Sequence, residues 1–135
     1  MDYQEKVNFL KRYKQIDDEI NQLLLEKREV FSLGTKITPT YSDMPKGTGA
    51  SDKVQSTVEK LEEHERKIDV KIDDWYEAKL NIEKAIHTVE SDTLRLLLRY
   101  RYINGWTWEK IAVEMNYAYR NVTRLHGKAI NLIKI

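Results

Sequence analysis

The sequence predicts an all-α protein: a long helical hairpin or coiled-coil stalk followed by a small helix-turn-helix domain. Three observations carry that expectation. Apolar residues recur at helical spacing through two long stretches. Only five Gly and two Pro occur in 135 residues, and four of the Gly and both Pro fall between Gly34 and Gly105, which leaves uninterrupted helical runs on both sides. The last third of the chain breaks into short apolar-periodic segments around a tight turn. A composition of 41% hydrophobic and 33% charged residues suits a thin helical core better than a thick globular one. The expected segments are an N-terminal helix at 1–33, a Pro/Gly-rich loop at 34–50, a long coiled-coil-like helix at 51–90 and the helix-turn-helix domain at 91–135.

In the first segment Phe9, Tyr13, Ile16, Ile20, Leu23 and Val30 follow a 4-3 spacing broken at one seam position by Lys27, which is a heptad stripe. Leu24, Leu25 and Phe31 widen that stripe, so the face is expected to meet more than one helix or a partner with a broad apolar face. A core-facing amphipathic helix and a coiled coil both fit. The loop, GTKITPTYSDMPKGTGA, holds three Gly and two Pro. It reads either as a connector or as a segment whose Lys46 and Gly-rich tip touch DNA or a partner protein. It is not a phosphate-binding P-loop, because no Gly-Lys-Ser/Thr follows a strand.

Ser51 or Asp52 can cap the second long helix. Its seam runs Val54, Val58, Leu61, Glu65, Ile68, Ile72, Trp75, Lys79, Ile82, Ile86 and Val89 in alternating steps of four and three. Such a helix would be about 55–60 Å long at a rise of roughly 1.5 Å per residue, more than a small head domain can cover. It needs a partner helix, either the first helix folded back antiparallel or the same helix of another subunit. Glu65 and Lys79 have long stems that reach a seam's edge, which favours the intramolecular hairpin, itself able to dimerise.

Ser91 and Asp92 form the next N-cap. The helix from Thr93 to Ile103 turns Leu94, Leu97, Leu98 and Tyr102 inward and Arg95, Arg99 and Arg101 outward, and Asn104-Gly105 ends it with a left-handed residue. Trp106 and Trp108 flank Thr107 and close a small core. Thr107 caps a helix that faces Ile111, Ala112 and Met115 inward. Asn116 tolerates the positive φ of a tight turn, and the chain restarts as a helix near Ala118. There Val122, Leu125, Ala129, Leu132 and Ile133 make one face, and Tyr119, Arg120, Thr123, Arg124 and Lys128 make the other. A hydrogen-bonding, cationic second helix after a tight turn is a DNA-binding arrangement.

Charge agrees with it. The chain carries a net +1, but residues 51–90 hold 7 basic and 11 acidic side chains while residues 91–135 hold 8 and 3, so positive charge is concentrated where phosphates would lie. With no cysteine there is no disulfide framework and no thiolate metal site. His64, His87 and His126 are far apart and at no metal-ligand spacing. Glu62-Glu63 and Asp73-Asp74 fall off the seam, on solvated helix faces. No catalytic residue, metal or cofactor is therefore expected, and the protein is read as a non-enzyme. The N-terminus, MDYQEKVNFLKRYKQ, is charged throughout and shows neither a signal peptide nor a membrane span, so a soluble, cytoplasmic protein is expected.

The last 45 residues resemble region 4 of bacterial sigma factors. Tyr102, Gly105, Thr107, Glu109, Ile111, Met115, Val122, Leu125, Lys128 and Ala129 take the places of that family's pattern. The whole chain is similar to small phage and prophage proteins of Gram-positive bacteria that put a helical part and a Pro/Gly/Ser-Asp loop, here Met44 to Val54, before such a head. Relatives in that broad group, the ArpU-like and RinA-like proteins, are regarded as late transcription regulators. The resemblance implies that Tyr119, Arg120, Thr123 and Arg124 face base edges in the major groove of double-stranded DNA. It also implies that Lys128 and Thr107, at the head of its helix, face phosphate. Ala118, Tyr119 and Asn116 depart from the usual Ser, Arg and Gly, so base preference does not carry over.

The expected function is a sequence-specific DNA-binding phage transcription regulator, acting in the bacterial host cytoplasm. Two alternatives belong to other classes. One is a protein-interaction module whose head meets RNA polymerase; the other is a small terminase-like DNA-packaging adaptor, which requires a ring. A homo-oligomer through the stalk is compatible with all three.

Overall fold

The chain's own first residues set the first helix. Asp2 accepts the Glu5 backbone N–H at 2.8 Å, and the Glu5 carboxylate accepts the Asp2 backbone N–H at 3.0 Å, a reciprocal cap that satisfies two donors at the start of α1. The computed structural model describes residues 1–35 and 49–135. It contains five helices in the order α1 (Tyr3–Thr35), α2 (Gly49–His87), α3 (Asp92–Tyr102), α4 (Trp108–Met115) and α5 (Tyr119–Leu132), with no strand among the described residues. The all-α expectation holds.

Helix bounds differ from the sequence reading by one to three residues at several ends. α1 runs two residues past Leu33, and α2 starts at Gly49, before the expected Ser51 or Asp52. α2 also stops at His87 rather than Glu90. There the Thr88 hydroxyl donates to the Ala85 carbonyl at 2.6 Å, and the tightened turn frees the chain to reverse before α3. α3 begins one residue early, with the Ser91 hydroxyl accepting the Leu94 N–H at 3.3 Å. The loop reading for Lys46 and its neighbours falls on 36–48, outside the described residues.

The described chain divides into two compact units. Unit 1 is Met1–Asp17 together with Asp74–Ile135, and unit 2 is Asp18–Asp73. The unit that holds α3, α4 and α5 thus takes in more than residues 91–135. Val7 and Leu10 from α1, and Ile82, Ala85 and Ile86 from α2, share one core with Val89, Leu94, Leu98, Tyr102, Ala129, Ile130 and Ile133. Tyr13 adds a tilted ring contact to Trp75 at 5.3 Å. Fully burying side chains of this size contributes about 1.5–3 kcal/mol each, so this shared core is what fixes α5 in place.

Unit 2 is an antiparallel helix pair. Glu19 meets Lys71 at 2.6 Å, Glu26 meets His64 at 3.4 Å and Lys27 meets Glu65 at 3.0 Å, while Gly34 lies against Thr57. Numbers on one helix fall as those on the other rise, so α1 and α2 pair within the chain. Ile68 is its one fully buried hydrophobic side chain among the described residues. Val54, Val58 and Ile72, expected on the seam, are 50%, 41% and 43% exposed. Two helices alone bury a narrow seam and leave the shoulders of a wider stripe in water.

Candidate nucleic-acid interface

Three short helices build the candidate site, and each junction has a local cause. α3 ends where Gly105, at φ 72, lets the Trp106 N–H reach the Tyr100 carbonyl at 3.0 Å while the Asn104 N–H bonds the Arg99 carbonyl at 3.0 Å. Thr107 caps α4, its hydroxyl accepting the Lys110 N–H at 3.2 Å. Asn116 ends α4 in the left-handed region at φ 58 and ψ 43, and the Tyr117 N–H returns to the Ala112 carbonyl at 2.9 Å. α5 then starts at Tyr119 behind Ala118, which has no side-chain cap to offer.

A second core locks the helix pair. Leu97, Ile111, Ala112 and Val122 are buried together, with Tyr100, Trp106, Trp108, Met115 and Leu125 packed around them. The Tyr100 and Trp106 rings stack at 4.3 Å, and Lys110 Nζ sits 4.4 Å over the Trp106 ring.

His126 is the polar centre of the packing. It is 8% exposed, its Nε2 shares a 2.6 Å hydrogen bond with the Tyr102 hydroxyl, and its Nδ1 lies 3.5 Å from the Tyr3 hydroxyl. The Trp108 ring meets it edge-on at 4.6 Å. Burial, with the nearby charges of Arg101 and Lys11 adding to it, lowers the His126 pKa to about 4, and burial pushes the Tyr102 hydroxyl up to about 12. The ring is therefore neutral at pH 7, with one nitrogen to donate and one to accept. Sequence spacing gives His126 no metal-ligand partner and no other role; the structure packs it into the core. The available signal was its position one turn before Ile130 on the apolar side of α5.

The cations separate into two groups. Those of α3 are engaged internally. Arg95 donates to the Val89 and Glu90 carbonyls at 2.7 and 2.9 Å and pairs with Asp92, and Arg99 lies 3.7 Å from Glu83. Arg101, expected to point outward, donates to the Trp106 carbonyl at 3.0 Å and lies 4.2 Å over the Trp108 ring. Those of α5 are different. Arg120, Arg124 and Lys128 are exposed at every fourth position, on the side opposite buried Val122, Ala129 and Ile133. Arg124 Nη2 donates to the Asn121 side-chain oxygen at 2.8 Å, and no carboxylate meets any of the three among the described residues.

The remaining candidates sit at the margins of that stripe. Tyr119 is 50% exposed at the start of α5. Thr123 is half-buried toward the packed side, and its hydroxyl donates to the Arg120 carbonyl at 3.0 Å. Thr107 is exposed at the head of α4 with its oxygen already used as the cap. Leu132, expected inward, is 47% exposed. It lines a groove of about 680 Å³ whose floor holds Val89, Leu94 and Leu125 and whose rim holds Arg124, Lys128 and Lys134 together with Glu90. Sequence reasoning did not single out Lys134 or Gly127, the residue between Arg124 and Lys128. A Cβ at Gly127 would meet nothing within 4 Å, so packing does not require the glycine.

No group of His, Asp and Glu able to hold a metal occurs among the described residues, and no described helix is long and apolar enough to cross a membrane. Compared with known proteins, the chain matches no family model, no curated protein and no solved structure.

Proposed function

We propose that this chain is a sequence-specific DNA-binding regulator of phage transcription, acting in the host cytoplasm and reading the major groove with α5. The observation that carries the reading is the contrast between the arginines of α3, tied to carbonyls and carboxylates, and Arg120, Arg124 and Lys128, aligned outward with no acid among them. Residues 119–132 contain no Asp or Glu at all. Cations left without a carboxylate partner on a rigid helix supply what a phosphate backbone and guanine edges take up. Tyr119 and Thr123 border the base-reading stripe, while Lys128 and the head of α4 at Thr107 meet phosphate.

The test is in-vitro selection of bound duplexes with the full chain, followed by titration of the variants. Arg120→Ala and Arg124→Ala are each expected to lose about 1–3 kcal/mol of discrimination at one base pair. Lys128→Ala is expected to weaken all duplexes alike and to flatten the salt dependence. No enriched sequence, or unchanged affinity in all three variants at low salt, would overturn the reading.

A second reading has one observation in its favour. The groove beside Arg124 and Lys128 joins an apolar floor to a rim of three cations and one acid, Glu90, which suits an acidic, apolar protein segment such as RNA polymerase could present. Association with polymerase that survives Arg120→Ala but not Leu132→Glu would favour it.

A further inference from the structure

Unit 2 has two long edges that differ in kind. One is closed by the Glu19–Lys71 ion pair and by the contact of Glu26 with the His64 ring. The other is apolar and is crossed by an ion pair, Lys27 to Glu65 at 3.0 Å. Leu24, Val54, Val58 and Ile72 lie there, each 41–50% exposed, above half-buried Ile20 and Leu61. Leu24, Leu61 and Glu65 share one groove of about 510 Å³ with Lys27 and Arg28. Helix geometry explains the division: His64 and Lys71 each precede Glu65 and Ile72 by one residue, a rotation of about 100° to the other shoulder of α2. Val54, Val58, Leu61, Glu65 and Ile72 keep to the steps of three and four that hold one shoulder.

We infer that a second copy of this chain docks on the apolar edge, so that two helix pairs close into a four-helix bundle. Charge selects a copy. With Lys27 and Glu65 already paired to each other, Arg28 flanks the edge on α1, and Glu62 and Asp69 flank it on α2. A two-fold axis presents the same patch from both copies and can set each basic α1 flank against its partner's acidic α2 flank. Period selects a helical occupant, because an apolar shoulder in heptad steps is matched by another of the same period. Area is sufficient once the rim is included: the exposed apolar side chains amount to roughly 300–400 Å² per copy. With its polar rim, a pair reaches the ~1,000 Å² that a specific interface needs. The inference rests on the packing of unit 2 and not on the DNA reading.

The test is the mass of the full chain in solution, by light scattering and sedimentation. The wild type should weigh twice 16.1 kDa. Leu24→Glu and Val58→Glu should each raise the dissociation constant by on the order of 100-fold and return the chain to the monomer, with helical content retained by circular dichroism. Leu25→Glu and Val70→Glu, at 50% and 61% exposed apolar positions off this edge, should leave the dimer intact. A wild type that stays monomeric up to about 100 µM would overturn the inference whatever the variants do, including the case in which residues 36–48 of the same chain cover the edge. So would a wild type larger than a dimer, or a Leu25→Glu variant that dissociates as readily as Leu24→Glu. DNA is absent from every arm, so failure here and failure of the DNA reading are separate results.

Discussion

The same two helices run through both units, yet they do different work in each. Within unit 1, α1 contributes Val7 and Leu10 and α2 contributes Ile82 and Ile86, all at 7% exposure or less, because α3 and α5 cover them as well. Within unit 2 the same kind of stripe leaves Val54 and Val58 at 50% and 41%. A heptad pattern reports that a helix has an apolar side and is silent about how many helices cover it.

The largest test of that contrast compares two leucines. Leu98 has no exposed surface and sits in the unit 1 core, whereas Leu24 is 43% exposed. Leu98→Ala is expected to cost about 2–5 kcal/mol, and Leu24→Ala less than about 1 kcal/mol in the monomer. Trp75, Trp106 and Trp108 all fall in unit 1, so urea denaturation followed by tryptophan fluorescence reports that unit alone, while circular dichroism reports both. If the two probes trace one transition in the wild type and separate in Leu98→Ala, the units unfold in distinct steps. Equal losses for the two leucines would remove the distinction between the units.

The histidines sharpen it next. His126 is buried in unit 1 on Tyr102, and His64 in unit 2 lies at an ion-paired surface near Glu26. The folded-state pKa of His126, about 4, is below the ordinary value of 6.5, so between those values the unfolded chain binds the extra proton. This contribution to stability is complete above pH 6.5 and is lost as pH falls toward 4, by on the order of 3 kcal/mol in total. Thermal unfolding of wild type and His126→Phe across that range should give a steeper acid loss for the wild type. Parallel curves would mean that His126 does not carry the proton linkage.

What was legible in the sequence follows the same division. Thr107, Asn116 and Gly105 act through their own backbone, and each has the cap or positive φ that its residue type implies. Pairing of α1 with α2 within the chain was also readable, since Glu65 and Lys79 disfavoured a fully buried seam. Legibility failed where a neighbour decides the outcome. Arg101 reads as an outward cation until the Trp106 carbonyl and Trp108 ring are placed beside it. Thr123 reads as part of the outward stripe until the packing of α5 turns it half inward. The inclusion of Met1–Asp17 in unit 1 depends on contacts between residues about a hundred positions apart, such as Lys6 Nζ donating to the Asn131 carbonyl at 3.4 Å.

Two helical glycines give the smallest effects, with opposite signs. A Cβ at Gly34 would lie 2.3 Å from Thr57 Cγ2 and 2.8 Å from its Cβ, a branched side chain with little room to move, so α1 and α2 must part. Gly34→Ala is expected to cost about 1–3 kcal/mol, read as an early loss of helical signal with the tryptophan transition unchanged. At Gly127 the space is open, and replacing a helical glycine by alanine should stabilise unit 1 by about 0.5–1 kcal/mol, seen in the tryptophan transition. That gain raises the question of why a glycine stands there. It lies on the outward side between Arg124 and Lys128, where a missing side chain lets another surface approach the backbone. If Gly127→Ala stabilises the fold and also weakens the selected duplex, the glycine serves the approach of DNA to α5. If it stabilises the fold and leaves duplex affinity unchanged, the contact surface of α5 is confined to Arg120 and Arg124 at its N-terminal end.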